Sequence, residues 1–142
     1  MPDTPLDHIG WHLWRAARAW KAELVAGMVA AGHGWYAQAR GNLLQHIGPE
    51  GLRQGDLADR AGLTKQAVQQ FVDELAADGI VERQPDPADA RARRVALTDA
   101  GRAAMRDADR IKQEIEDRWR SRLGDDGFTA LADALRAVAQ GR

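Results

Sequence analysis

The chain has no cysteine among its 142 residues. Disulfides, thiolate zinc sites and any cysteine-based peroxide switch are thereby excluded. It also lacks a long apolar run. The longest, LVAGMVAA at 24–31, falls far short of the ~20 residues a membrane span requires. The N-terminal MPDTPLDH lacks the basic-then-apolar order of a secretion signal, so a cytoplasmic location is expected. Charge of one sign is missing as well: the net value is −1. Acids slightly outnumber bases even between residues 52 and 94, and any basic footprint for nucleic acid has to be local. No Ser/Gly/Pro-rich linker, low-complexity tract or internal repeat divides the chain. Its length suits one domain with a proper core, and a single cooperative unit is expected. Finally, there is no Gly-rich phosphate loop, nucleophile motif or usefully spaced His–carboxylate pair, so nothing argues for an enzyme and no cofactor is implied.

His8 and His12 stand four apart on one helix. They could share a metal, but without a nearby Cys or helix-borne carboxylate two such ligands make only a weak site. His33 and His46 have no partner readable from sequence.

Among the residues present, RQPDPADARARRVALTDAGR at 83–102 stands out. Pro85 and Pro87 bar a helix there, because each removes a backbone donor and biases its predecessor toward extended geometry. Behind them RRVAL puts Val95 and Leu97 on one face and Arg94 and Ala96 on the other, the period of a half-buried strand. Arg83, Arg91, Arg93 and Arg94 therefore belong to an exposed hairpin whose turn is 85–91, closed by GIVERQ on its other side.

Upstream, Thr4 as N-cap and Pro5 at the first helical position open a helix of roughly 25 residues that stops at Gly32. Leu6, Ile9, Leu13, Ala16, Trp20 and Leu24 form one stripe on it. Trp11, Trp14, Val25 and Val29 lie off that stripe, so more than one face is apolar and a second subunit is the economical partner. Residues 34–48 read as a shorter helix with Leu43, Leu44 and Ile47 inward. Leu52, Leu57, Ala58 and Ala61 make another short helix, Gly62–Leu63 a tight turn, and Thr64 caps a helix reaching Asp78: a helix-turn-helix pattern. Ala67, Val68, Phe71, Val72 and Leu75 form its buried face, leaving Lys65, Gln66, Gln69, Gln70 and Asp73 outward. Thr98 caps a long helix, and a final helix capped by Asp125 carries Phe128, Leu131, Leu135 and Val138 at core spacing.

The stretch LADRAGLTKQAVQQFVDELAADGIVERQPDPADARARRVALTDAGR, 57–102, resembles the multiple-antibiotic-resistance regulator (MarR) family of winged-helix transcription factors. Its "LA", Gly-Leu turn, recognition helix, "L…DGIV.R", "D-P-x-D-x-R" and "LT..G" arrive in the family's order. The likeness is strong over about 50–103, while the flanking helices agree in length and placement more than in identity. The fold it implies is mainly α with a small β-hairpin wing: a winged helix-turn-helix with N- and C-terminal dimerisation helices. In this arrangement about 1–33 and 104–142 dimerise and about 34–103 bind DNA. The function implied is sequence-specific DNA binding by a ligand-responsive repressor. A homodimer would hold a pseudo-palindromic operator of double-stranded DNA, with helix 64–78 in the major groove and wing 83–94 in the minor groove.

Residue by residue, the resemblance makes Arg91 the groove-inserting arginine, since narrow A·T-rich minor grooves concentrate negative potential. Asp89 becomes the acid that braces the wing tip. Arg93 and Arg94 would be phosphate partners or simply solvated strand residues. Thr64, Lys65, Gln66, Gln69 and Gln70 would face the major groove, where Gln can bond adenine N6 and N7 together. Ala90, Gln70 and Glu74 stand where relatives often carry Arg, which weakens phosphate attraction; Glu74 is excluded from the contact set. Relatives also bind small aromatic or amphipathic effectors between dimer helices and winged part. Trp11, His12, Trp14, Arg15 and Trp35 come from the elements placed there, although Trp at helical spacing also suits plain core or dimer packing. A rival reading turns the polar helix and wing into a surface for protein contacts.

Overall fold

Thr98 shows how the chain's spacing becomes structure in the computed structural model, which describes residues 7–141. Its hydroxyl donates to the Gly79 carbonyl and stands 3.0 Å from the Ile80 carbonyl. The same oxygen accepts the Gly101 N–H at 3.1 Å. That bond caps helix α4 (Asp99–Ala139) and ties its first turn to the end of helix α3 (Lys65–Ala77). The fit is so close that a Cβ on Gly101 would stand 2.1 Å from the Ile80 carbonyl oxygen. The glycine of "LT..G" is thus required by a close backbone approach.

The element order is α1 (Ile9–Ala30), two 3-10 segments (Gly34–Ala37 and Ala39–His46), β1 (Leu52–Arg53), α2 (Gln54–Ala61), α3, β2 (Val81–Pro85), β3 (Arg93–Leu97) and α4. Packing divides the chain into two compact units. One holds the chain up to Leu24 together with Asp109 onward; the other is Val25–Ala108.

Within Val25–Ala108 the core joins Leu43, Leu44, Ile47, Leu57, Val68, Val72 and Leu75 to Ile80, Val81, Val95 and Leu97. Each such side chain contributes about 1.5–3 kcal/mol on full burial. The three strands form an antiparallel sheet in the order β1-β3-β2. Leu52 pairs with Val95, and β2 pairs with β3 from Val81↔Leu97 to Pro85↔Arg93. Helix α2 ends on Gly62 in the left-handed region (φ 66°), a conformation glycine adopts without steric penalty. Thr64 caps α3 by accepting the Ala67 N–H at 3.1 Å.

Several expectations from sequence are corrected. Residues 34–48 do not form an α-helix: Gln38 is extended (φ −89°, ψ 163°) and separates two 3-10 segments. Gly34 and Gly41 weaken helix propagation; Leu43, Leu44 and Ile47 are buried all the same. Leu52 belongs to strand β1 and not to the helix that follows; a two-residue strand is too short to display a period. Ala96 is buried with Val95 and Leu97, because the Gly51 turn packs onto it from the far face. The hairpin turn is 86–92, one residue later than expected, since Pro85 pairs with Arg93 inside the sheet. The Thr4–Pro5 helix start lies outside the described residues, whereas the expected stop is found, with the His33 N–H bonded to the Met28 carbonyl.

In the other unit, α4 is broken at Gly124 (φ 78°, ψ 163°), one residue before Asp125. Glu23 accepts from the Trp119 indole at 3.2 Å and pairs with Arg118 at 3.3 Å. Leu24, Ile111 and Ile115 are buried. Leu135 and Val138, expected at core positions, remain 41% and 71% exposed.

Candidate nucleic-acid interface

Helix α3 turns Val68, Val72 and Leu75 into the core and keeps Lys65, Gln66, Gln69, Gln70 and Asp73 exposed. The outward face is therefore the one the periodicity predicts. Gln70 donates to Glu74 at 3.2 Å. Glu74 is half-buried, 3.9 Å from Arg40, whose Nε also donates to Asp78 at 2.7 Å. That acid is consequently drawn toward Arg40. Gln69 stands in a network with Gln54 at 2.6 Å and Asp73 at 3.2 Å. Arg83 on β2 reaches Gln54 at 3.1 Å and Asp73 at 2.7 Å.

On the wing, the Asp89 carboxylate accepts the Arg91 backbone N–H at 2.9 Å, and its carbonyl accepts the Ala92 N–H at 3.0 Å. Asp89 thus shapes the turn by holding backbone and leaves the Arg91 side chain exposed. Arg93 is exposed too, and lines a shallow depression of about 420 Å³ with Gln54, Gln69 and Arg83. Recognition helix and wing thereby share one concave surface. Arg94 is placed differently: it donates to the Glu50 and Gly51 carbonyls at 3.2 and 3.0 Å and lies half-buried.

Sequence reasoning missed the residue that organises this wing. Asp86, 5% exposed, accepts from Arg53 Nε at 2.6 Å and from the Ala88 N–H at 2.8 Å, with Arg94 at 3.8 Å. The Arg53 hydrogen bond foremost, then the Ala88 N–H, hold its carboxyl below the usual carboxylate range against the opposing effect of burial. The Arg53 guanidinium is raised in turn, chiefly by Asp86. The one available signal was an acid set between Pro85 and Pro87. Its partner, Arg53, lies in a strand that the pattern did not reveal.

Comparison with known proteins bears on the lineage. A sequence model of the MarR family matches residues 39–92. The transcriptional repressor CouR, solved bound to a 23-mer DNA duplex, is 28% identical, covers 94% of this chain and 93% of its own, and superposes with a TM-score of 0.73. The matched segment and this neighbour support a MarR-family regulator. CouR from Rhodococcus jostii RHA1 is also solved with p-coumaroyl-CoA, at 26% identity and TM-score 0.71, covering 96% of this chain and 94% of that one. Escherichia coli MarR in its apo form shares the fold at TM-score 0.74 and 20% identity, covering 94% and 98%. An uncharacterized Mycobacterium tuberculosis protein is 26% identical over 113 residues, 80% of this chain and 79% of that protein.

The MarR-family chain is thus a winged-helix transcriptional regulator. Its five residues singled out for an effector do not gather at one surface of a single unit. Trp35 belongs to Val25–Ala108, where it packs edge-on to Tyr36 at 5.7 Å against the core. Burial raises the Tyr36 phenol above its ordinary value. Trp11 and Trp14 stack at 5.2 Å, with Arg18 4.7 Å over Trp14. Of the five, His12 alone lines the apolar groove of the helical unit. Leu13, Trp20, Trp119, Phe128 and Leu131 share that groove, which encloses about 650 Å³. His12 pairs with Asp7, while the His8 ring accepts the Trp11 N–H at 3.2 Å. No cluster of three metal-ligating side chains occurs among the described residues, and none of their helices is long and apolar enough to cross a membrane.

Proposed function

We propose that this MarR-family regulator is a ligand-responsive repressor acting in the cytoplasm and holding a pseudo-palindromic operator as a homodimer. Helix 64–78 occupies the major groove and wing 83–94 the minor groove, with half-sites roughly 10 bp apart. The observation that carries this reading is the shared concavity: Gln69 on the polar face of α3 and Arg93 on the wing border the same depression. Thr64, Lys65, Gln66, Gln69 and Gln70 contact the major groove. Arg91 enters the minor groove and Arg93 meets phosphate, while Asp89 holds the wing turn. Arg94 acts by fixing the wing base through the Glu50 and Gly51 carbonyls. The DNA-bound form of CouR supports this reading.

The terminal helices, about 1–33 and 104–142, form the dimer, and about 34–103 the DNA-binding part. Support comes from the apolar groove and from Ile9, Leu13, Leu123, Leu135 and Val138, which are exposed in one chain. So much apolar surface on one helical unit marks an association site. The effector is a small aromatic or amphipathic molecule. The p-coumaroyl-CoA complex of CouR supports that class, and the stacked Trp11–Trp14 pair supplies an aromatic wall with Arg18 over Trp14.

Fluorescence anisotropy with a duplex recovered by random-sequence selection, against a scrambled duplex at several salt concentrations, tests the reading. Lys65, Arg91 and Arg93 are the exposed cations of this surface, so a dimer releases counterions from about six contacts. The slope of log K against log salt is then about −5. A flat salt dependence with no sequence preference would transfer the surface to protein partners.

A further inference from the structure

Arg83, Gln54, Gln69 and Asp73 close a hydrogen-bonded ring across three elements. Arg83 Nε donates to Gln54 Oε1 at 3.1 Å, and Gln54 Nε2 donates to Gln69 Oε1 at 2.6 Å. Gln69 Nε2 donates to Asp73 at 3.2 Å, and Arg83 Nη2 meets the same carboxylate at 2.7 Å. A second contact from Arg83 Nη2 reaches the Gln69 backbone carbonyl at 3.4 Å. The two amides could each be turned over in isolation, but the ring forbids it. A guanidinium only donates and a carboxylate only accepts. With a pure donor at one end and a pure acceptor at the other, Gln54 has to offer its oxygen to Arg83 and its NH2 to Gln69. Gln69 in turn has to aim its NH2 at Asp73.

We propose that Gln54, Asp73 and Arg83 are positioning residues that fix the direction of the Gln69 amide and so set the protein's preference for adenine at one operator position; this rests on the DNA-binding reading above. A carboxamide carries two N–H donors and two acceptor lone pairs. The ring takes one of each, leaving Gln69 one N–H and one lone pair. That remainder is complementary to adenine, whose N7 accepts and whose N6 donates in the major groove. Because the amide is held before binding, no rotamer or flip has to be selected when the base arrives, which lowers the entropic cost of the contact. Arg83 is half-buried, and its charge is taken up by Asp73. It therefore orients the reader and is not itself counted among the phosphate contacts.

The experiment begins with random-sequence selection on the wild-type dimer, followed by anisotropy on duplexes carrying each base at each half-site position. Gln69→Ala identifies the position read by Gln69, where wild type prefers adenine by roughly tenfold or more. Gln54→Glu replaces the middle of the ring with an acceptor-only group. Gln69 then meets acceptors on both sides, no orientation of its amide satisfies both, and with the direction no longer fixed the adenine preference falls below about threefold. Asp73→Asn can still accept from both neighbours through its oxygen and retains the preference. Asp73→Ala, on an exposed helix position where Ala folds well, reduces it. If Gln54→Glu and Asp73→Ala both keep the full adenine preference, the ring does not position Gln69 and the proposal is overturned. A wild-type protein that selects a sequence whose preferences survive Gln69→Ala overturns it too, while leaving the regulator reading intact. Failure of the wild type to select any sequence removes both.

Discussion

Arg53 and Asp86 form the joint between the sheet and the wing: Nε of the arginine donates to Oδ2 of the acid at 2.6 Å. The carboxylate is almost inaccessible, and its second oxygen accepts the Ala88 N–H. One acid therefore satisfies the backbone of the turn and neutralises an arginine from the neighbouring edge strand. Burying a charge is tolerated only with such pairing.

The joint makes the fold acid-sensitive. Asp86 titrates below the ordinary carboxylate value in the folded chain, and near 3.9 when unfolded. Its contribution is fully present above about pH 4 and is lost as pH falls from there through the folded pKa. Arg53, raised by the same pair, stays charged throughout. Thermal melting of Asp86→Asn should be lower than wild type at neutral pH and flatter with acidification below about pH 4. Parallel curves for the two proteins in that range would contradict the assignment.

Arg91, which we propose enters the minor groove, does little for the fold. Its side chain is exposed, so Arg91→Ala should leave melting within about 0.5 kcal/mol of wild type while weakening operator binding by about tenfold or more. Anisotropy beside a melting curve separates the two effects. Unchanged affinity removes the wing from the interface.

Leu135 tests the dimer. It is exposed in the single chain and borders the apolar groove. Leu135→Glu would place a charge in the proposed subunit interface, costing several kcal/mol of association if unpaired there. Sedimentation velocity at micromolar concentration should show wild type as a dimer and the variant shifted to monomer, with operator affinity lost in parallel. A monomeric wild type would end the homodimer proposal.

Gly101 tests the seam between α4 and the end of α3. Any side chain there collides with the Ile80 carbonyl, which is itself held by Thr98. Gly101→Ala should destabilise by about 1–3 kcal/mol, the usual cost of overpacking a rigid contact. Denaturant melts measure it; a neutral or stabilised variant would mean that the seam yields.

Much of this chain was legible because its signals are local. Thr64 and Gly62 bracket a helix start and a helix stop through bonds spanning a few residues, and the five residues of α3 that the 3.6-residue period turns outward are all exposed in the structure. The two prolines marked the hairpin turn to within one residue. The motif order then named the family that the comparisons support.

Tertiary structure alone decided the rest. Strand β1 exists because Leu52 and Arg53 find Val95 and Arg94 across the sheet, and two residues carry no period of their own. The roles of Asp86, Arg94 and Arg83 depend on partners 33, 43 and 29 residues away. The sequence by itself determined which faces are apolar, where α2 stops and α3 begins, and which arginines crowd the hairpin. Which of those arginines remain exposed and which are taken up within the fold was decided by long-range pairing, because a charge's availability depends on what the fold sets against it.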